Sequence, residues 1–318
     1  MQADSHSRSP QGHGWLVEFD FDYLEVGKAK FIKILESVKA NSLWAIPEEL
    51  SPKSLALAFP DLAQIETIDY GLVRTYKSPI DAKAVVAWIH GGAFIGGSLD
   101  MPEADWVSRS ISARGFDVYS IDYRKVDLET SFPIPNQDVM AGWQRASAHA
   151  KSKGLPIHLG GGSAGAAYAA ALTSELISKS MQLPKSLALV YPVVHPVIPE
   201  SNEVQAAATA DIPEREYIDE QTLAGMHYLY AGSIENLSNP IAFAGLAELQ
   251  EFPDTFILNS EKDLLRPSGE LFAQQLKDAN VRVRVELEVG SGHGQLDDPF
   301  NPFGQKSIKR LIDWLENN

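Results

Sequence analysis

The nine residues LGGGSAGAA, at positions 159–167, place a serine between an apolar segment and an alanine-rich helical pattern. The apolar segment covers 155–159, and the helical pattern covers 164–177. Positions 161–165 match G-x-S-x-G, which is typical of a nucleophilic serine on a tight strand-to-helix turn. Such a turn strains the serine backbone, and glycines on both sides let the strand and the helix approach each other. The stretch therefore predicts a nucleophile at Ser163.

Two other interpretations of this stretch have to be weighed. Residues 160–165 also match G-x-G-x-x-G, a dinucleotide-binding pattern that requires an acidic residue at the end of the next strand. The next predicted strand, 186–190, ends in Tyr191-Pro192, so a nucleotide site is disfavoured. The second alternative, a glycine-rich turn without chemistry, stays open on the motif alone. Partners elsewhere in the chain must decide between it and a nucleophile.

Composition limits the class of protein. The chain has 318 residues, of which 44% are hydrophobic and 22% charged, as expected for a soluble globular protein with one large α/β domain and a small appendage. Cysteine is absent, which excludes disulfides, thiolate chemistry and cysteine metal ligands. A net charge of −15 disfavours nucleic acid and anionic lipid surfaces as partners.

Targeting and membrane signals are also missing from the sequence. Residues 1–14 are polar and contain no apolar core of a secretory signal. No apolar run approaches the roughly 18 residues that a membrane span needs. No histidine or carboxylate pair has the spacing of metal ligands. We therefore predict a cytoplasmic protein without stable membrane insertion and without a metal.

The pattern of apolar residues predicts an α/β fold. The sequence at 65–76 is typical of a β-hairpin, and the continuous apolar runs at 84–89 and 118–121 are typical of strands covered on both faces. An amphipathic helix at 23–39 precedes them. Strands and helices that alternate give a mainly parallel sheet with helices on both faces. We expect these helices at 102–112, 136–152, 164–178, 268–278 and 305–316.

A second glycine-rich loop, HGGAFIGG at 90–97, follows directly on the predicted strand 84–89. Acyl transfer creates a negative oxygen, and backbone N–H groups are its usual stabilisers. An oxyanion loop is expected after an earlier strand in hydrolases that carry G-x-S-x-G. We therefore predict an oxyanion hole formed by the N–H groups of Gly91, Gly92 and Ala164.

An acid and a base should follow the serine in the chain, because a serine hydroxyl needs both to become nucleophilic. Asp263 lies just after the predicted strand 255–259, and Glu261 is the rival acid. His293 is the only histidine after Asp263, and small residues surround it. The sequence thus predicts a triad of Ser163, His293 and Asp263.

At this point the chain resembles the hormone-sensitive-lipase-like carboxylesterases of the α/β-hydrolase fold. The loop HGGAF at 90–94 is similar to their His-Gly-Gly-Gly-Phe/Trp loop, and GGSAG at 161–165 to their Gly-Asp-Ser-Ala-Gly elbow. The sequence departs from the family pattern at Gly162, where Asp or Glu is usual, at Ala93 and at Gln295. Further similar motifs extend the resemblance over residues 60–318: IDYR at 121–124, FP at 132–133, DLLR at 263–266 and HG at 293–294.

This resemblance implies a fold, a cap and an activity. It implies a catalytic domain at 61–196 and 240–318, and a helical cap formed by residues 1–60 and the insertion 197–239. The predicted triad and oxyanion hole keep the same roles, and neither cofactor nor metal is needed. The insertion is rich in Asp and Glu, which disfavours anionic substrates. We expect Phe94, His227 and Tyr228 to contact the substrate, although simple packing explains His227 equally well.

The predicted activity is hydrolysis of small, neutral carboxylic esters with short to medium acyl groups. An amide hydrolase of the arylformamidase type remains an alternative, because it uses a similar triad and oxyanion loop. A ligand receptor on the same scaffold is a third possibility, since plant gibberellin receptors resemble this family but lack a working histidine. The presence of His293 argues against a receptor. The sequence is compatible with a homodimer.

Overall fold

The computed structural model describes residues 19–41, 45–209 and 219–318. Within these ranges, eight strands form a single sheet in the order β1-β2-β4-β3-β5-β6-β7-β8. The strands are β1 (Thr67–Asp69), β2 (Val73–Tyr76), β3 (Ala84–Ile89), β4 (Phe116–Ile121), β5 (Ile157–Gly162), β6 (Ser186–Val190), β7 (Asp254–Lys262) and β8 (Val283–Gly292).

The helices of the described ranges alternate with these strands. They are α1 (Phe21–Asn41), α2 (Pro52–Ala58), α3 (Pro60–Ala63), α4 (Asp105–Ser112), α5 (Ile134–Lys153), α6 (Ala164–Ser178), α7 (Asn202–Thr209), α8 (Glu220–Ala231), α9 (Ile234–Leu237), α10 (Arg266–Asp278) and α11 (Pro302–Glu316). The five helices predicted for the sheet faces correspond to α4, α5, α6, α10 and α11, each with ends within one turn of the prediction.

The sheet is mainly parallel, as predicted. The hairpin of β1 and β2 joins β4 in antiparallel pairing, and every pairing from β4 to β8 is parallel. The central strands β3, β5 and β6 are buried along their whole length. They are buried because α5, α6 and α10 pack an apolar core on one face, while α4 and α11 pack a second core on the other. The prediction of an α/β-hydrolase fold is confirmed.

Parallel pairing brings the carboxyl ends of β3, β5, β6, β7 and β8 to one edge of the sheet. The glycine-rich loop 90–97 follows β3, and Ser163 follows β5. Loops at the ends of β7 and β8 carry the predicted acid and base. Ligands of open α/β sheets bind at this edge, so the fold gathers all the predicted catalytic residues in one place.

A helical layer lies outside the sheet, where α1 packs against α8. Their axes approach closely because glycines face each other at the crossing: a Cβ on Gly225 would overlap the backbone of Gly27. Lys30 on α1 also donates to Asp219, the N-cap residue of α8, over 2.7 Å. The segment at the start of the chain and the insertion are therefore in direct contact. Three of the acidic residues expected in the cap, Asp211, Glu214 and Glu216, lie outside the described residues.

Candidate active site

Ser163 lies at the turn between β5 and α6. Its backbone has φ 52° and ψ −121°, a conformation that a residue with a side chain rarely adopts. The Ser163 N–H donates to the Val190 carbonyl of β6 over 2.9 Å, which ties the turn to the neighbouring strand. The neighbours of the turn have to be small, because a Cβ on Gly165 would overlap the Ile89 carbonyl. The predicted strain and its cause are both present.

The three residues of the predicted triad lie in hydrogen-bond contact. Ser163 Oγ is 2.8 Å from His293 Nε2, and His293 Nδ1 is 2.8 Å from Asp263 Oδ2. Asp263 is 2% exposed, and its other oxygen accepts from the Leu265 N–H over 2.9 Å. By contrast, the His293 side chain is 39% exposed, which leaves the imidazole accessible to a substrate. The arrangement is that of a nucleophile, a base and an orienting acid.

The rival acid, Glu261, has a different place. Its Oε2 accepts from the N–H of Gly290 over 2.7 Å, near the end of β8 and three residues before His293. The Glu261 carboxylate therefore supports the end of the strand that leads to the histidine, whereas Asp263 contacts the imidazole itself. The geometry favours Asp263 over Glu261 as the acid.

The environment of His293 favours its charged form. Burial lowers the pKa of His293, but the charge of Asp263 and its hydrogen bond outweigh that effect, and Glu103 and Asp297 add to it. The net result is a pKa above the ordinary value of 6.5. Asp297 is itself unusual, because burial and the charge of Glu103 raise its pKa well above the usual range. Asp297 is thus a neighbour that raises the pKa of His293.

The glycine-rich loop after β3 is held in an uncommon shape. Positive φ angles occur at Gly92, Ala93 and Phe94, with values of 121°, 49° and 67°. The loop keeps this shape because His90 Nε2 lies 2.8 Å from Asp122 Oδ1 and the Tyr123 hydroxyl donates to the Gly91 carbonyl over 2.9 Å. These bonds fix the directions of the loop N–H groups before any substrate binds.

One member of the predicted oxyanion hole has to be corrected. The N–H of Gly91 already donates to Glu103 Oε2 over 2.8 Å, so it is not available to an oxyanion. Within the described ranges, the N–H groups of Gly92 and Ala93 have no acceptor. Ala164 is the first residue of α6, where a backbone N–H has no partner inside the helix. The donors best placed for the oxyanion are therefore Gly92, Ala93 and Ala164.

The residues expected to contact the substrate have different environments. The Phe94 ring is buried and stacks on Tyr230, with 4.4 Å between ring centroids. Tyr228 faces α1 instead, where Lys28 Nζ lies 4.9 Å above its ring. Tyr228 therefore contributes to the contact between the cap helices, and its predicted role with the substrate is not supported by any contact to the triad.

His227 is buried and neutral, since burial lowers its pKa to about 4. Its Nδ1–H donates to the Pro196 carbonyl over 2.8 Å. Its Nε2 is then a hydrogen-bond acceptor, and no group in the described part of the chain donates to it. A buried acceptor without a partner is costly in a folded protein, so this atom is a candidate for a substrate contact.

The described residues contain no cluster of three or more His, Cys, Asp or Glu side chains with the geometry to bind a metal ion. None of the helices in these ranges is long and apolar enough to cross a bilayer.

Sequence comparison relates this chain to known hydrolases. The sequence pattern of the α/β-hydrolase fold family matches residues 86–297, which is more than half of the chain. The chain belongs to the α/β-hydrolase fold family. The hydrolase is 29% identical to esterase LipI of Mycobacterium tuberculosis, over 68% of this chain and 67% of LipI. It is 25% identical to an ethyl acetate hydrolase of Pseudomonas putida, over 70% of each chain.

The same fold occurs in solved esterase structures. A hyperthermophilic esterase from the archaeon Pyrobaculum calidifontis superposes with a TM-score of 0.71 at 21% identity, covering 93% of the hydrolase and 97% of that chain. The curated relatives are an esterase and an ester hydrolase, which agrees with the resemblance of the motifs to hormone-sensitive-lipase-like carboxylesterases.

Two residues of the site were not identified from the sequence. Glu103 contacts the oxyanion loop, and Tyr191 donates its hydroxyl to Glu103 Oε1 over 2.7 Å. Neither belongs to a recognisable motif. The one signal in the sequence was Gly162, which stands where similar proteins usually have Asp or Glu.

Proposed function

We propose that this carboxylic ester hydrolase cleaves neutral, water-soluble esters with short to medium acyl groups through an acyl-enzyme on Ser163. The observation that carries the proposal is the continuous chain of contacts from Ser163 Oγ through His293 to Asp263, with 2.8 Å at both steps. These distances allow a proton to move from the serine to the imidazole during attack.

The first half of the proposed reaction forms the acyl-enzyme. Ser163 Oγ bonds to the ester carbonyl carbon while its proton passes to His293 Nε2, and the carbonyl electrons move onto the oxygen. The N–H groups of Gly92, Ala93 and Ala164 stabilise that oxyanion. When the tetrahedral intermediate collapses, the bond to the alcohol oxygen breaks and the alcohol leaves with the proton from His293.

The second half releases the acid. Water gives a proton to His293 Nε2 and attacks the acyl carbon, a second oxyanion forms, and its collapse returns Ser163 with its proton. Asp263 holds the imidazole in one tautomer throughout, because its Oδ2 accepts from Nδ1. No step requires a cofactor.

Two features of the structure support a substrate that is uncharged and has an acyl chain of limited length. A recess of about 430 Å³ between α1, α7 and α8 is lined by the carboxylates of Glu200, Asp219 and Glu220, of which Asp219 is paired with Lys30. The recess contains no residue of the triad, so its charge would act on an anionic ester from a distance, together with the net charge of −15. We infer that the packing of α1 on α8 forms a cap that limits the space for the acyl chain. The free Nε2 of His227 would accept a hydrogen bond from a hydroxyl or amide group of the substrate.

The test is a comparison of kcat/KM for acetyl, butyryl, octanoyl and palmitoyl esters of a single alcohol, with and without emulsion. We expect the maximum at two to six acyl carbons, roughly what a pocket of a few hundred Å³ holds, and little activation at an interface. A maximum at palmitoyl with interfacial activation would contradict the proposed substrate range. An N-formyl aryl amine in the same series tests the amide alternative, which requires faster turnover of the amide than of the aryl ester.

A further inference from the structure

Glu103 is a buried carboxylate at the centre of the site that the proposed mechanism does not use. It is 1% exposed and lies in the turn before α4. Its Oε2 accepts from the Gly91 N–H over 2.8 Å, and its Oε1 accepts from the Tyr191 hydroxyl over 2.7 Å. Its backbone is also fixed, because the Trp88 indole N–H donates to the Glu103 carbonyl over 2.8 Å. A buried charge needs such partners, and here both of them are hydrogen-bond donors.

The carboxylate fills a space that two glycines leave open. A Cβ on Gly162, the residue before the nucleophile, would overlap Glu103 Oε1. A Cβ on Gly91 would lie 2.7 Å from Glu103 Oε2 and 3.1 Å from the Cβ of Ser163. Glu103 thus occupies the position into which a side chain at 162 would project. A side chain at 162 and the glutamate at 103 therefore cannot both occupy this space without rearrangement.

Three strand ends meet at this carboxylate. Gly91 follows β3, Gly162 ends β5 and Tyr191 follows β6. The Tyr191 ring packs edge-on against the His293 ring, with centroids 4.9 Å apart. Glu103 therefore contacts the oxyanion loop directly and reaches the base through Tyr191.

We propose that Glu103 is a positioning residue for acyl transfer: its carboxylate fixes the oxyanion loop through Gly91 and the base through Tyr191, in the space left by Gly162. This inference rests on the proposed acyl-enzyme mechanism and adds a residue to it. The bond to Gly91 turns that N–H away from the substrate, and the next two N–H groups, of Gly92 and Ala93, remain free for the oxyanion. The hydrogen bond from Gly91 to a charged carboxylate is stronger than one to a neutral acceptor, so it holds the N–H groups of Gly92 and Ala93 more firmly in their directions.

The first test is kinetic. In Glu103→Gln the amide oxygen can still accept from the Gly91 N–H, but the amide nitrogen can only donate, so the charge is lost and the Tyr191 hydroxyl has to turn and accept instead. We expect kcat to fall about 10- to 100-fold with little change in KM, as for the loss of one hydrogen bond to a charged group that aligns the transition state. The matched control is Glu251→Gln, an exposed residue before β7, which should leave both constants unchanged.

The second test exchanges the two positions. Gly162→Asp alone should inactivate the enzyme, because its side chain overlaps Glu103. In Glu103→Ala/Gly162→Asp a carboxylate returns to the same space from the other side. We expect its kcat to exceed that of Glu103→Ala by at least about tenfold, a coupling typical of residues in direct contact. Additive losses in this double variant would overturn the proposal, since they would show that the two positions do not share a function.

The third test uses the pH profile, which a purely structural role would not move. Asp263, Glu103 and Asp297 all raise the pKa of His293. Loss of the Glu103 charge would also let Asp297 ionise more easily, so the comparison is made in Asp297→Asn. In the Asp297→Asn background, Glu103→Gln should move the acid limb of kcat/KM to lower pH. Removal of the Glu103 charge lowers the pKa of His293, so the imidazole stays neutral at a lower pH. An unmoved acid limb together with an unchanged kcat would overturn the proposal.

Labelling by a phosphonate separates this inference from the proposed mechanism. Every Glu103 variant should still carry the label on Ser163, at a reduced rate and with an unchanged thermal midpoint in Glu103→Gln. If the label maps to another residue, the proposed mechanism is wrong. If Ser163 is labelled at the wild-type rate in Glu103→Gln, the mechanism stands and the role of Glu103 is refuted.

Discussion

At the scale of single residues, the site depends on how each polar atom is paired. Asp263 uses one oxygen for His293 and the other for the Leu265 N–H, so it has a fixed direction as well as a charge. Glu261 is two residues away in sequence and supports Gly290 instead. Two neighbouring carboxylates thus make separate contacts, and the one predicted as the acid, Asp263, is the one that contacts His293.

The difference between these carboxylates gives the first prediction. Asp263→Asn should lower kcat by about three to four powers of ten, because an amide partner favours the wrong tautomer of His293. Glu261→Gln is the matched control and should cost far less, since it removes only a loop contact. Steady-state kinetics on one neutral ester measures both. The reverse order of effects would assign the acid to Glu261.

At the scale of elements, the contact between α1 and α8 ties the start of the chain to the insertion. The helices approach at two glycines, Gly27 and Gly225, whose missing side chains let the backbones come together. Beside this crossing, Tyr228 packs under Lys28, and the rings of Tyr228 and Phe21 meet edge to face. The two glycines therefore allow the start of the chain and the insertion to pack directly on each other.

This crossing gives the second prediction. Gly225→Ala should push α1 away from α8 and cost about 1–3 kcal/mol of docking energy, as expected for overpacking. Limited proteolysis should then cleave α1 sooner, while the catalytic domain stays resistant. Ala29→Leu, on an exposed position of α1, is the control and should leave the cleavage rate unchanged. Equal protection in both variants would show that the glycine crossing does not hold the cap.

The elements also show what a sequence reveals about this fold. Strand β5, Ser163 and helix α6 were predictable because the constraint is local: an apolar strand, a turn of small residues and a helix follow one another in the chain. The pairing of the Gly91 N–H was not predictable, because its acceptor is the side chain of Glu103, whose position depends on tertiary packing. Local patterns predict turns and nucleophiles, whereas the pairing of a loop N–H depends on a residue from another element.

At the scale of the whole molecule, charge distinguishes between substrates. The net charge is −15, and the cap recess carries three carboxylates within the described residues. Such a field repels anionic esters over a distance set by the ionic strength. A neutral ester of the same size would not experience this repulsion.

The third prediction follows from that field. Raising the salt concentration from about 10 to 150 mM shortens the screening length from about 30 to 8 Å, so KM for an anionic ester should fall severalfold. A neutral ester with the same acyl group and leaving group is the control, and its KM should change little. Initial rates at several salt concentrations measure both. An equal salt response for the two esters would show that cap charge does not influence substrate binding.

The central claim is that Ser163 is the nucleophile of an acyl-enzyme, and covalent labelling followed by peptide mapping tests it most directly. A fluorophosphonate should add one adduct, on the peptide that contains Ser163, with loss of ester turnover in proportion to labelling. Ser163→Ala should not be labelled and should not hydrolyse ester. Ser178→Ala, at the far end of α6, should be labelled and should hydrolyse ester like the wild type. An adduct on a different residue, or full turnover in Ser163→Ala, would contradict the account.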